Sequence, residues 1–321
     1  MAESLRVGIQ LTESCNLACQ HCCTSSSPKV TTTLDREYVR DILQQAKEID
    51  PSASVVFTGG EVFYVRDLLY HAIGLARDLG IGYSVNTNGS WAVDPAERQE
   101  VLHSILDVSR LTLGADVYHG TAVPRRAIGL ALQEALELGI EAMIRYTYVE
   151  GEDFEAVLTG LGLSTENDRS RVDFSGIMRV GRAIRLDPSV FPMFPEREPC
   201  FAASTIMIRS TGGISGCCGD SMYVPGQHDL RHGHVKRTPL KDVVEARKTN
   251  LVLQTIRTVG ARPLAAAAGV SEDASDEVFA RSPCGSCHLL LQEKNKDKTR
   301  AAAAELRDRV STLRALYYGE V

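Results

Sequence analysis

Apolar and polar residues alternate along the first 180 or so residues with a period that keeps switching between two and three to four. "LRVGIQL" (5–11) predicts a short strand, and "DREYVRDILQQAKEI" (35–49) a helix with Val39, Ile42, Leu43 and Ala46 on one face. "ASVVFTGGE" (53–61) predicts a buried strand ending in a glycine turn, and Leu68, Leu69, Ala72, Ile73, Ala76 and Leu79 mark a second helix. The alternation continues: strand 81–86, helix 95–107, strand 109–114, helix 124–138, strand 140–148, helix 152–161, strand 171–178. Strand and helix taking turns imply βαβ units on a parallel sheet, hence an α/β fold. Six such units suit a partial (β/α)6 barrel of the TIM type, with its chemistry at the C-terminal ends of the strands. A cysteine loop, "TGGE" and "NTNGS" follow the first three strands, so all three are expected at one rim.

Beyond 186 the pattern changes. "DPSVFPMFPEREP" (187–199) holds four of the chain's twelve prolines and predicts a linker between a domain at 1–186 and a smaller region at 200–321. That region is expected to hold a hairpin ("TIMIRSTGGISGCC", 205–218), a polar His-rich loop, and a helix near 240–258. "SPCGSCH" (282–288) and a closing charged helix near 292–316 are expected to complete it, and no appended leader-binding domain is expected.

Composition narrows the function classes. A hydrophobic content of 44% and a charged content of 24% over 321 residues suit a globular protein with a sizeable core. A net charge of −6 argues against non-specific nucleic-acid binding, which needs basic surface. No window has the roughly eighteen apolar residues of a membrane span. "MAESLRVGIQL" lacks the basic start and apolar run of a signal peptide, so a cytoplasmic location is expected. Thiols stay reduced there, and clustered cysteines then point to metal binding or catalysis before disulfides.

"CNLACQHCCTSSSP" packs four cysteines into nine residues. Cys15, Cys19 and Cys22 are spaced C-x3-C-x2-C, which fits poorly with structural zinc and its paired C-x2-C ligands. Three thiolates on a 4Fe–4S cluster leave one iron open. A reduced, metal-free cysteine cluster is the plain alternative. After the first strand of a six-unit βα barrel, this spacing resembles the radical S-adenosylmethionine (radical SAM) superfamily, with His21 where that family often has an aromatic residue.

That resemblance implies further roles. The open iron is chelated by the amino and carboxylate groups of SAM. Gly59, Gly60 and Glu61 of "TGGE" correspond to the Gly-Gly-Glu whose backbone approaches the methionine moiety, and Asn88 of "NTNGS" to a contact with its carboxylate or ribose. "VGRA" (180–183) corresponds to backbone contacts to adenine, with Arg182 reaching the carboxylate; a solvated basic turn is the alternative. Cys200, Gly212 and Cys217, with Cys284 and Cys287, resemble the opening and closing of the SPASM/twitch pattern. They imply a small twitch-like auxiliary 4Fe–4S cluster, for which zinc is the alternative. Cys23 is expected to be a small buried hydrophobe. Cys218, next to an implied ligand, is a candidate hydrogen-atom donor, because an S–H bond is weaker than most C–H bonds.

"FTGGEVF", "NGSW", "DVYH" (116–119), "VGRA", "GCC" (216–218) and "CGSC" (284–287), with the cysteine loop, together look like the radical SAM peptide epimerases of the YydG type. That resemblance implies conversion of L- to D-residues in a ribosomally made peptide by hydrogen abstraction at Cα, with Cys218 as donor. It also implies SAM, two 4Fe–4S clusters and a one-electron reductant such as flavodoxin or ferredoxin. Asp116, Tyr118 and His119 would lie near substrate; a cap at the start of a helix is the alternative for them. Arg179, Arg182 and Arg185 could meet an acidic peptide. The glycine-rich "STGGISGCC" and the loop "QHDLRHGH" (227–234) depart from the pattern; His228, His232 and His234 could bind metal or be a solvated surface loop. Two rivals stay open: oxidation or crosslinking (a thioether or C–C bond in a peptide, or dehydrogenation of an aminoglycoside) using the auxiliary cluster as electron acceptor, and a non-catalytic iron–sulfur or zinc protein.

Overall fold

β1 (Arg6–Thr12) is buried at every residue after Arg6, as expected for a strand inside a parallel sheet covered on both faces. The computed structural model describes residues 4–164, 168–192, 199–270 and 284–318. By packing, the chain forms two compact units: Gln10–Thr33 with Val55–Pro192, and Met1–Ile9 with Leu34–Ser54 and Met193–Val321.

The first unit carries β2 (Ser54–Gly59) from Val55 on, β3 (Gly82–Thr87), β4 (Arg110–Asp116), β5 (Ala142–Tyr148) and β6 (Val172–Gly176), in spatial order β6-β5-β4-β3-β2. The pairing is parallel, with Ser84 opposite Arg110, Leu111 opposite Ala142 and Ile144 opposite Val172. α2 (Arg66–Asp78), α3 (Pro95–Ser104), α4 (Arg125–Glu137) and α5 (Phe154–Leu161) make the crossovers. Their starts are written locally: Asp94 accepts hydrogen bonds from the Ala96 and Glu97 amides with Pro95 in the first turn, and Asp153 caps α5 likewise. This is the strand-by-strand order of a partial (β/α)6 barrel, as the periodicity predicts. Short 3-10 turns at 62–65, 90–93, 117–119 and 181–185 follow β2, β3, β4 and β6; hydrophobic periodicity does not report single turns.

In the second unit, the start of β1 pairs in parallel with β7 (Ile206–Ile208), followed by antiparallel β8 (Gly213–Ser215) and β9 (Arg231–His234). The β7–β8 hairpin turns at Gly212, whose φ of 86° only glycine adopts without strain. α1 (Arg36–Ile49) packs in this unit, and the Leu240 amide donates to its Gln45 side chain at 2.6 Å. The helix expected at 240–258 is two, α6 (Leu240–Thr249) and α7 (Leu251–Thr258), because Asn250 leaves the helical region and caps the second one through the Leu253 amide. α8 (Ala261–Ala267) and α9 (Gly285–Leu290) follow, and the closing helix divides into α10 (Lys296–Glu305) and α11 (Arg307–Tyr318). Residues 193–198 of the expected linker, and Ser282 and Pro283 of "SPCGSCH", lie outside the described residues.

The His-rich stretch corrects the expectation of a solvated loop. Its second half is β9, His228 is 5% exposed, and His234 bonds the Thr211 carbonyl at 2.8 Å. Among the described residues no helix is long and apolar enough to cross a membrane.

Candidate active site

The loop after β1 is tied to the end of β2 through main chain. The Gly60 amide donates to the Thr12 carbonyl at 2.8 Å, and the Glu61 amide to the Ser14 carbonyl at 2.9 Å. A methyl on Gly59 would stand 2.8 Å from the Thr12 oxygen, and one on Gly60 would fall inside the van der Waals shell of the Ser14 carbonyl. The glycines of "TGGE" are therefore required by the protein's own cysteine loop, a constraint separate from the cofactor approach that the family resemblance implies. Gly60→Ala is expected to destabilise the fold by about 1–3 kcal/mol, as overpacking does, and to lower iron uptake. Denaturant titration and iron analysis check this; an unchanged midpoint and full iron would contradict it.

Glu61 is buried and links three elements. Its carboxylate accepts from the Phe63 amide (3.0 Å), the Thr87 hydroxyl (2.7 Å) and the Asn88 amide (2.6 Å). Burial raises its pKa above the usual carboxylate range, against the pull of these donors. The Trp91 indole N–H donates to the same Thr87 hydroxyl at 3.1 Å, so the turn after β3 is locked to the end of β2. Asn88, thus held, extends its amide to the Asn16 side chain at 3.0 Å and to the Cys15 sulfur at 3.6 Å.

Cys15 is buried, Cys19 and Cys22 are half-buried, and Cys23 is exposed, which corrects the expectation of a buried Cys23. The Leu17 amide donates to the Cys15 sulfur at 3.3 Å, and the Thr24 hydroxyl lies 3.3 Å from the Cys22 sulfur. Burial pushes the Cys15 thiol up to about 11 and Cys19 up to about 12, and the charge each would feel from Cys22 adds to it. Metal binding requires thiolates. As thiolates, the buried Cys15 and the half-buried Cys19 and Cys22 form a donor set that a cationic iron–sulfur core would stabilise, and in that respect the residues fit a 4Fe–4S cluster. Among the described residues no three His, Cys, Asp or Glu side chains close around a single metal-ion position.

Arg182, in the turn after β6, donates its Nε to the Cys19 carbonyl at 2.8 Å and its amide to the Cys22 carbonyl at 3.0 Å. Its Nη2 is buried without a partner among the described residues, a donor that could meet an anionic ligand group. The solvated-turn alternative for "VGRA" therefore does not hold for Arg182.

Asp116 ends β4 and does two things. One oxygen caps the 117–119 turn through the Tyr118 (2.6 Å) and His119 (2.9 Å) amides, which is the capping alternative. The other lies 3.2 Å from Nε2 of both His21 and His119. Burial would raise the Asp116 pKa, but the His21 hydrogen bond and the charges of His119 and His21 win and hold it below the usual range. Desolvation lowers the His119 pKa against the pull of the Asp116 carboxylate. Tyr118 stacks on His21 with ring centroids 4.9 Å apart, and the Nδ1 atoms of His21 and His119 are buried without partners among the described residues. His21 was legible only as the aromatic position of the cysteine motif; no sequence signal joined it to Asp116.

In the second unit Cys217 and Cys287 are buried and Cys200 and Cys284 half-buried. A methyl placed on Gly219 would lie 3.1 Å from the Cys284 sulfur and 3.4 Å from that of Cys217, so these sulfurs flank one point. Burial pushes the Cys217 thiol up to about 12, reinforced by Cys218 and Cys200. Cys200, Cys217 and Cys287 also join one apolar cluster with Val252, Ile256 and Leu290. Cys218, by contrast, is exposed, with its sulfur 3.7 Å from the Ala202 carbonyl.

Comparison with known proteins agrees with this geometry. Residues 9–159 match the Radical SAM superfamily. The Bacillus subtilis (strain 168) protein named for peptide biosynthesis, YydG, is 32% identical over 131 residues, covering 40% of this chain and 41% of that protein. The chain thus matches less than half the length of that relative. Among solved structures, Streptococcus suis SuiB bound to precursor peptide SuiA superposes with a TM-score of 0.57 over 76% of this chain and 65% of that one, at 14% identity. The structure of anSMEcpe with bound AdoMet and Cp18Cys peptide superposes with a TM-score of 0.51 over 96% and 98%, at 12% identity. At such identities the likeness establishes the fold, an α/β partial barrel on a parallel sheet.

Proposed function

We propose that this chain, which carries a radical SAM domain over residues 9–159, is a peptide-modifying enzyme that inverts a residue of a ribosomally made peptide from L to D. The partial match to YydG supports a peptide as substrate. What carries the epimerase reading is the contrast within one dipeptide: Cys217 is buried beside other cysteines, and Cys218 is exposed. Adjacent thiols so divided suit two roles, a ligand and a reagent.

In this proposal Cys15, Cys19 and Cys22 hold a 4Fe–4S cluster, and Cys200, Cys217, Cys284 and Cys287 hold a second. The Gly59–Glu61 main chain, Asn88 and the unpartnered Arg182 Nη2 receive SAM. When bound, the first cluster and SAM would supply the one-electron chemistry that removes a hydrogen atom from a peptide Cα. The chain's own part is orientation and hydrogen return. Asp116 fixes His21 and His119, and Tyr118 stacks on His21, so the rim keeps one shape toward a substrate. The Cys218 S–H bond breaks as the new Cα–H bond forms; return on the face opposite to abstraction inverts the centre. The thiyl left behind regains its thiol by taking one electron, from a flavodoxin- or ferredoxin-like reductant, and one proton.

The Cys217 and Cys284 sulfurs, which flank one point in the second unit, favour a second reading, oxidation or crosslinking with the auxiliary cluster as acceptor. Reaction of a candidate precursor peptide in D2O separates the two. Inversion places one solvent deuterium at the altered Cα, because the Cys218 thiol exchanges with solvent; oxidation or crosslinking removes two hydrogens and adds no deuterium. Mass spectrometry and chiral amino-acid analysis read the result, and a product without Cα deuterium rules out inversion. Failure of the anaerobically reconstituted protein to cleave SAM with dithionite would exclude both readings and leave a non-catalytic metal protein.

A further inference from the structure

Arg247 on α6 is bonded to the two segments that carry Cys200 and Cys217. Its Nη1 donates to the carbonyl of Gly216, the residue before Cys217. Its Nη2 donates at 2.8 Å to the carbonyl of Ala203, three residues after Cys200. Its own carbonyl accepts from the Gln254 side chain at 2.7 Å, which anchors it to α7. One planar fork therefore sets the spacing of the two segments on either side of the β7–β8 hairpin, a geometry that the single ammonium of lysine does not reproduce.

The charge of this fork is not balanced. Both bonds end on neutral carbonyls, and among the described residues no carboxylate pairs with Arg247. The guanidinium is desolvated by burial, and the groups near it that could carry an opposite charge are the Cys217 and Cys218 sulfurs, as thiolates only. His232 lies against the same Gly216, but burial, with the nearby Arg247 charge, pushes its pKa down to about 4, so it is neutral and adds no anion. A desolvated cation without a counter-ion is costly, and such groups are normally paired. Four thiolates around an iron–sulfur core make a net anion, and reduction by one electron makes it more negative.

We infer that Arg247 is a positioning residue for the second cysteine group: it staples the Cys200 and Cys217 segments together and is the counter-charge of an anionic four-thiolate centre held there. This rests on the second-cluster part of the proposed function. The test uses full-length protein with Cys15, Cys19 and Cys22 replaced by alanine, reconstituted anaerobically, so that only the second centre is read. Arg247→Gln is expected to shift the midpoint potential, followed by electron paramagnetic resonance, to more negative values, because the reduced state loses its counter-charge. It is also expected to release iron to a chelator about tenfold faster, the usual scale for an outer partner of a metal site. Arg247→Lys keeps the charge and loses the fork, so its potential stays near that of the parent while iron leaves faster. Circular dichroism of the iron-free proteins reports folding, and the Lys variant carries the test if Gln does not fold. Parental potential and parental iron release in both variants would overturn the inference. If the parent takes up zinc in place of iron, the second-cluster reading fails and Arg247 is judged by the rate of zinc release. If it takes up neither, both fall.

Discussion

Alanine in place of Cys15, Cys19 or Cys22 is expected to abolish reductive cleavage of SAM, with no 5′-deoxyadenosine above the enzyme-free background. Each thiol sits in a loop whose shape is over-determined by the Thr12 and Ser14 contacts to "TGGE" and by the Arg182 bonds to the Cys19 and Cys22 carbonyls. The loop has no fourth cysteine suitably placed to substitute, since Cys23 is exposed. Bound iron should fall by roughly half if the proposed second centre is present. Cys23→Ala should leave cleavage and iron unchanged. Chromatographic assay of 5′-deoxyadenosine and iron analysis decide the matter, and a Cys19→Ala protein that still cleaves SAM would remove this loop from the chemistry.

Cys218→Ala is the second large effect. SAM cleavage should persist, because nothing in the first cysteine loop changes, while formation of the D-residue should fall to background. A methyl group cannot replace the thiol, since its C–H bond is stronger than S–H. Solvent deuterium at Cα should disappear with the inversion. Cys217→Ala should behave differently, losing iron from the second centre, since Cys217 is the buried member of the pair. Full inversion by Cys218→Ala would eliminate the donor role, and loss of SAM cleavage in that variant would make Cys218 part of the first site instead.

The two halves of the chain were unequally legible from sequence. The strand–helix order to residue 178 was readable because each element buries its own stripe, as with Val39, Ile42, Leu43 and Ala46 on α1. The region after 200 was read less well. A break such as Asn250, whose side chain substitutes for a helical turn, leaves the hydrophobic period intact on both sides. β9 was missed because "RHGH" carries no apolar alternation, and its pairing comes from β8.

The sequence by itself determined the candidate donors: the C-x3-C-x2-C loop, the "TGGE" turn and the later cysteines, all recognisable because spacing within a loop is a local property of the chain. Only the tertiary structure decided which groups surround those donors. Arg182 reaches the Cys19 carbonyl across 163 residues, Asp116 pairs with His21 and His119, and Arg247 bridges the Cys200 and Cys217 segments. It also separated Cys217 from Cys218, two identical letters side by side, by burying one sulfur among apolar neighbours and leaving the other exposed. Charge balance and burial depend on segments distant in the chain, and no local spacing rule encodes them.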